Sequence, residues 1–375
     1  MKTTTTSSEI NIGQISRFAM EHIAPRYDLS GRDDFPHDLW DEMANVGLFK
    51  IGIEKLYGGI GGGYLNLTEA AEEIVKSGYN IGIATSWLYQ QIVARFIIAG
   101  FGSENQKQQY LPEMAKGKLT ASFAVSEPQL GAHPKYLKTT AVKDESFYTL
   151  NGEKTYLTNA PIAELFIVIA VTSEAKQRGF TAFLAPRQTT GLEVGLHLKF
   201  NFLKPSPHGS IVLNNCRLPD TAILGKEGTA YREIVIAFGQ IEDIVMMGAV
   251  VGAMAGQLML LIGATGKDKI AASESLKNEL GEQDEALQSI RKIARKAAEV
   301  LDWGEAYSVA QAISFMNLTA DFQLNMDTIV QKWNPHPDPR YNYLRSDLTA
   351  MMAFKKKITQ LRQKKLEREL LKDKW

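Results

Sequence analysis

Residues 121–159 read ASFAVSEPQLGAHPKYLKTTAVKDESFYTLNGEKTYLTN, and their reading decides the fold. Residues 123–126 form a short apolar run that ends in Ser-Glu-Pro, as a strand does when it enters a loop. Residues 137–143 and 147–158 are rich in β-branched and aromatic side chains and predict two further strands. Asn151-Gly152 predicts a tight turn, because both residues tolerate left-handed backbone. The hydroxyls of Ser126, Thr155 and Thr158 and the ring of Tyr156 are then expected to gather beside one loop of a sheet.

On the N-terminal side the pattern is helical. Apolar residues spaced by three and four run through 10–24 until Pro25, and Phe35-Pro36 opens a second run through Leu39, Met43, Val46 and Leu48. Residues 57–63, Tyr-Gly-Gly-Ile-Gly-Gly-Gly, are rich enough in glycine to suggest a phosphate cradle. No Lys-Ser/Thr follows and no strand-turn-helix frame surrounds them, so a turn between helices is favoured. Helices are expected over 67–76 and 81–99, and another from 102 with Ser103 as its cap. Beyond the opening stretch, 165–171, 181–185, 192–198 and 210–213 read as strands without intervening helices, which argues for an antiparallel barrel or sandwich. Residues 230–265, 284–310, 315–330 and 347 onward return to helix, with the proline-rich 333–340 as a loop. The expected fold class is α+β: a helical domain over 1–120, a central β domain over 121–226 and a helical domain over 227–375.

Composition narrows the function. Of 375 residues 45% are hydrophobic and 22% charged, the range of ordinary globular proteins. Lys plus Arg and Asp plus Glu are 42 each, so no overall field recruits nucleic acid or a membrane. The one cysteine, Cys216, excludes an internal disulfide framework, and the six histidines lack metal-ligand spacing. The first residues, MKTTTTSSEIN, contain no apolar core of a secretory signal, and a cytoplasmic setting is expected. The uncharged run 244–266 exceeds the roughly 18 residues of a membrane span. Five glycines and Gln257 interrupt it, so a buried helix is expected.

Phe-Ala-Val-Ser-Glu-Pro-x-x-Gly followed by Leu-Asn-Gly-x-Lys-x-Tyr-x-Thr-Asn resembles the flavin-binding core of the acyl-CoA dehydrogenase family. The segments 102–112 and 214–228 are similar to that family's entry to and exit from its sheet. The resemblance implies a helix–sheet–helix fold, FAD as cofactor, and removal of an α-proton from an acyl thioester as hydride leaves the β-carbon. It assigns Phe123, Val125, Ser126, Tyr156 and Thr158 to the isoalloxazine, with Tyr156 in place of the usual Trp. For the base, one family solution is a Glu near the C-terminus. Here Ala353 stands nearest that position, and no acid lies between Asp347 and Glu367. The other solution places Glu in the first long C-terminal helix, where Ile241-Glu242-Asp243-Ile244 matches. Glu242 is the expected base. Adjacent residues lie about 100° apart on a helix, so Asp243 cannot share its face.

Departures from the family pattern bear on the substrate. Leu130-Gly131-Ala132-His133 replaces Ala-Gly-Ser-Asp, so Gly131, Ala132, His133 and Asp243 are the expected substrate-side residues. GKDKIAA at 266–272 replaces a motif that reaches a neighbouring subunit's FAD, and no glycine follows Gly304. The resemblance implies an acyl thioester substrate on coenzyme A or, slightly favoured, on an acyl carrier protein. It also implies an electron-transfer flavoprotein or oxygen as acceptor, and a homodimer or homotetramer. The competing reading is a catalytically reduced subunit that stabilises an active partner dehydrogenase. The basic tail, 355–375, has apolar residues at helical spacing and is expected either to be a solvated helix face or to dock an acidic carrier.

Overall fold

The computed structural model describes residues 11–353 except 130, 175–177, 196 and 306–307. The tail, 355–375, lies outside the described residues. Contacts group the chain into two compact units, one containing 31–62 and 85–243, the other containing 11–30, 63–84 and 244 onward. These units cut across the sequential order helix, sheet, helix, since each takes segments from both sides of the strands.

The first unit is built on one eight-stranded sheet. Its strands are β1 (Ala121–Ala124), β2 (Thr140–Asp144), β3 (Phe147–Thr158), β4 (Leu165–Ser173), β5 (Gly179–Pro186), β6 (Leu192–Val194), β7 (His208–Pro219) and β8 (Ile223–Leu224). Their order is β6-β7-β3-β2-β4-β5-β8, with β1 also paired to β4. The sheet is mixed, not antiparallel throughout. β1 runs parallel to β4 from Ala121↔Leu165 to Ala124↔Val168, and β2 meets the same strand in parallel at Thr140↔Val171. The reason lies in the connections. The chain enters β1 from the helix Glu104–Ala115 rather than from a hairpin, then leaves β4 after Ala124 and returns to it as β2. Residues 125–139 are therefore an excursion from the middle of a strand edge, and they carry Ser126 through His133.

The hairpin turn also differs from the expectation. Asn151-Gly152 lies inside β3, and the turn is Glu145-Ser146, with Asp144 paired to Phe147 and Glu145 at φ 53°. Gly152 serves close approach instead: a Cβ there would fall 2.5 Å from the Thr139 hydroxyl oxygen. The register between β3 and β7 slips at this point, and the Asn151 side-chain oxygen accepts from Asn215 N–H at 2.8 Å. β7 is longer than 210–213 because it follows β3 along nearly its whole length, whereas β6 stops at Val194, well short of 198. Tyr148, Leu150, Phe166, Val168, Phe183 and Cys216 fill the core of the sheet, and burial pushes the Cys216 thiol up to about 11.

The glycine-rich segment 57–63 is a turn. The N–H groups of Ile60, Gly61 and Gly62 donate to the carbonyls of Lys50, Ile53 and Ile51 at 2.8 Å, and are thereby taken from any phosphate. Ser103 caps the helix Glu104–Ala115 as expected, with Gln106 returning a bond to its N–H.

The second unit is helical: Ile12–Phe18, Tyr64–Gly78, most of Ile236–Thr265, Glu274–Asp302, Val309–Trp333, and the helical residues 339–353. The helix Glu274–Asp302 begins ten residues before the expected 284. Among the described residues one helix, Tyr231–Thr265, is long and apolar enough to cross a membrane, and 89% of its apolar window is buried. The glycines that interrupt this run let helices touch, since a Cβ on Gly248 would meet the Thr68 carbonyl and one on Gly252 that of Glu72. Arg291 and Arg295 pair with Glu72 and Glu69 on the helix Tyr64–Gly78. Asp302 caps that helix, accepting from Tyr64 and Leu65 N–H at 2.7 and 2.9 Å. The Arg340 guanidinium lies between the rings of Tyr27 and Tyr79 and forms a two-pronged pair with Asp338.

Candidate active site

Every sequence-predicted site residue lies in the first unit. β3 builds the centre. Its burial alternates through Tyr148, Leu150 and Lys154, then changes phase so that Thr155, Leu157 and Thr158 are buried. The change is a bulge: register to β7 slips between Lys154 and Leu157, and Tyr156 sits at φ 60°. Left-handed backbone is costly for a bulky residue, and bulges commonly re-aim a side chain beside a functional site. The outcome is a Tyr156 ring 57% exposed and backed by Phe200, near parallel at 6.4 Å between centroids. Phe200 in turn leans on Phe202 and meets His208 edge-on. Thr158 closes the strand, and its carbonyl accepts from the Ser122 hydroxyl at 2.8 Å.

The residues just before the bulge hold the strand opposite. Lys154 Nζ donates to the Val125 carbonyl at 3.0 Å and to Glu127 Oε1 at 2.9 Å. Thr155 N–H donates to the Ser126 carbonyl at 2.9 Å. The Glu127 carboxylate also accepts from the N–H groups of Lys138 and Thr139, at 2.6 and 2.9 Å. Burial alone would raise its pKa, but the charge of Lys154 and these N–H donors hold it below the usual range. Glu127 and Gly131 exchange backbone bonds at 3.0 and 3.1 Å, which closes the loop, and the Tyr231 hydroxyl donates to the Ala132 carbonyl at 2.8 Å. The exposed His133 turns its ring to Tyr136.

A second cluster forms around Glu242, half-buried near the start of the helix Ile236–Thr265. One turn earlier, Phe238 packs on Phe123 at 4.8 Å and on Tyr89 at 5.3 Å. The Tyr89 hydroxyl donates to the Phe123 carbonyl at 3.2 Å. Burial first, and then the Glu242 charge, push the phenol well above its ordinary pKa of 10, so it stays a neutral donor. The fold thus joins Phe123 with the turn of helix before Glu242, and the backbone of Val125 and Ser126 with Lys154 and Thr155 beside Tyr156. The excursion of 125–139 starts between the two groups. Asp243 is half-buried beside Glu242, one helical step around the axis.

Three participants were not singled out in the sequence: Tyr89, Phe238 and the Lys154–Glu127 pair. Lys154 had a readable signal, because strand parity from Tyr148 and Leu150 puts it on the buried side. Tyr89 had none, as it sits in a helix that is buried on nearly every side.

The first unit thus presents an exposed aromatic ring, Tyr156, at a bulge of its mixed sheet. The chain belongs to the acyl-CoA dehydrogenase family: the profile for "Acyl-CoA dehydrogenase, N-terminal domain" matches residues 9–118, and that for "Acyl-CoA dehydrogenase, middle domain" matches 122–216. The acyl-CoA dehydrogenase of Bacillus subtilis (strain 168) is 33% identical over 216 residues, 57% of this chain and 56% of that one. The chain thus spans somewhat over half the length of the curated relatives it matches. Among solved structures, butyryl-CoA dehydrogenase from Megasphaera elsdenii has the same fold, with a TM-score of 0.78 at 24% identity over 89% of this chain and 91% of that one. The prolyl acyl carrier protein oxidase AnaB is alike to the same degree, with a TM-score of 0.78 and 24% identity over 92% and 93%.

Proposed function

We propose that this protein is an FAD-dependent dehydrogenase of acyl thioesters, with Glu242 as the base. One observation carries the reading. Lys154 and Thr155 hold the peptides on both sides of Ser126, and the next residue, Tyr156, is turned out of its strand as an exposed ring. A planar heterocycle fits that arrangement. Its face can rest on Tyr156, and its acceptor edge can meet the Ser126 hydroxyl and N–H. Family membership and relatives named as acyl-CoA dehydrogenases support FAD as that heterocycle. Phe123, Val125, Ser126, Tyr156 and Thr158 would hold it.

Bound FAD supplies the hydride acceptor. The protein supplies the rest. The Glu242 carboxylate takes the α-proton of the thioester, a step typically worth about 10²–10⁴-fold in rate. Phe238, one turn before Glu242 on the same helix, packs with Phe123 and Tyr89. The Tyr89 hydroxyl is committed to the Phe123 carbonyl, so its ring bounds the site while its proton stays in place.

The carrier is the finer question. Gly131-Ala132-His133 lacks the serine with which the family holds the acyl-carrier end, and this favours a thioester on an acyl carrier protein over one on coenzyme A. An electron-transfer flavoprotein or oxygen is the acceptor, and the working form is a homodimer or homotetramer. The reading as a reduced, stabilising subunit accounts for neither the strained Tyr156 nor Glu242. Incubation with short acyl, hydroxyacyl and aminoacyl thioesters on each carrier, followed by mass spectrometry, tests the proposal. The expected product has lost one H2 from the carrier-protein substrate; intact thioesters on both carriers would contradict it.

A further inference from the structure

We propose that Lys154 is a positioning residue: with Glu127 it fixes the Val125–Ser126 peptide so that the Ser126 N–H faces the ligand edge of the sheet. The inference rests on the flavin reading of the site and adds to it a part for two residues that touch no ligand.

In a trans peptide the carbonyl and the following N–H point in opposite directions. The Val125 carbonyl points to Lys154 Nζ, 3.0 Å away inside the sheet, so the Ser126 N–H points away from Lys154. The next peptide is pinned as well, since the Ser126 carbonyl accepts from Thr155 N–H. Ser126 therefore has little rotational freedom, although it lies at the start of a loop and outside the regular ladder.

A lysine is a costly way to hold one carbonyl. The Lys154 side chain is 0% exposed and that of Glu127 is 5% exposed. Two charges at that depth are worth keeping for stability only when each is fully bonded, and replacing such a pair by neutral groups of similar shape is often harmless to stability. Burial draws the Lys154 pKa down to about 8, although the Glu127 charge opposes the shift. What the pair does beyond stability is geometric. Lys154 ties β3 to Val125, and Glu127 ties the loop to Lys138 and Thr139. Ser126 is thereby locked between them, one residue before Glu127 and across from the bulge that presents Tyr156. The two surfaces offered to a planar ligand, the Ser126 edge and the Tyr156 face, thus share one support.

The test uses the whole chain in two variants. Lys154→Met alone strands a buried carboxylate and is expected to destabilise the fold, so the deciding variant is Lys154→Met with Glu127→Gln, a neutral pair of similar size. Three readouts are compared with the unaltered protein: the melting temperature without cofactor, the FAD dissociation constant by fluorescence titration, and the fine structure of the bound flavin's visible bands. The expected result is a melting temperature within a few degrees of the unaltered protein, FAD binding weakened by about tenfold or more, the worth of one well-aligned hydrogen bond, and blurred bands. A double variant that binds FAD as tightly as the unaltered protein, with the same spectrum, would overturn the inference and leave the function standing. Unaltered protein that takes up no FAD would overturn the proposed function, and the inference with it.

Discussion

His208 should make this protein acid-sensitive in a window set by one half-buried ring. The residue sits on β7 opposite Thr158, donates through Nδ1 to the Ser206 carbonyl at 3.0 Å, and meets Phe200 edge-on at 5.1 Å. Phe200 is the ring beneath Tyr156. Burial pulls the His208 pKa from 6.5 to about 4, with His197 acting in the same direction. Between those values the unfolded chain binds a proton that the folded chain refuses. Stability is therefore fully present above pH 6.5 and is lost as pH falls towards 4. At 1.36 kcal/mol per pH unit the loss from this residue is about 2 kcal/mol between pH 7 and pH 5, and roughly 3 kcal/mol at its limit. Urea unfolding of the unaltered protein and of His208→Asn at pH 7, 6 and 5 measures it. Asparagine keeps a donor near the Nδ1 position and does not titrate, so its unfolding free energy should fall by about 2 kcal/mol less across that range. Parallel curves for the two proteins would refute the burial argument.

Further predictions concern the second unit and the site. Asp302→Ala should lower the unfolding free energy by about 1–2 kcal/mol, because it uncaps the helix Tyr64–Gly78, and chemical denaturation measures this. Asp338, held down to about 2 chiefly by Arg340, contributes stability that is present above about pH 4 and lost as pH falls through 2. Asp338→Asn should remove that acid-range slope in an acid titration followed by circular dichroism. Tyr156→Ala should weaken FAD binding by removing the exposed ring while leaving the melting temperature of the cofactor-free protein within a few degrees; unchanged FAD affinity would exclude the ring from the site.

Much of the fold was legible because burial and chain connection act locally. The helices capped at Ser103 and interrupted at Pro25, and the apolar run 165–171 of β4, follow from residues within one or two turns of each other. Where the structure departs from the sequence pattern, distant parts of the chain decide. Asn151-Gly152 has the chemistry of a turn, but a partner strand with Asn215 opposite it and the backbone of Thr139 beside it make a bulge the better use of that freedom. The parallel pairing of β1 and β2 to β4 depends on where a 15-residue excursion returns, which no local pattern encodes. The site shows the same division. Parity from Tyr148 and Leu150 puts Lys154 on the buried side, but it puts Tyr156 there as well, so the bulge that turns this ring out is seen only in the folded strand. The meeting of Phe123 with Phe238 and of Tyr89 with Glu242 joins three separate stretches of chain, and only the folded structure brings them together.

In the proposed reaction Glu242 would take a proton from the thioester, with Ser126 and Tyr156 holding the flavin that would accept the hydride. Anaerobic mixing of FAD-loaded protein with its carrier-bound acyl substrate, followed by the visible flavin absorbance, tests it most directly. The unaltered protein should bleach, and Glu242→Gln, with the same amount of FAD bound, should bleach about 10²–10⁴-fold more slowly. Bleaching of both at one rate would exclude Glu242 as the base.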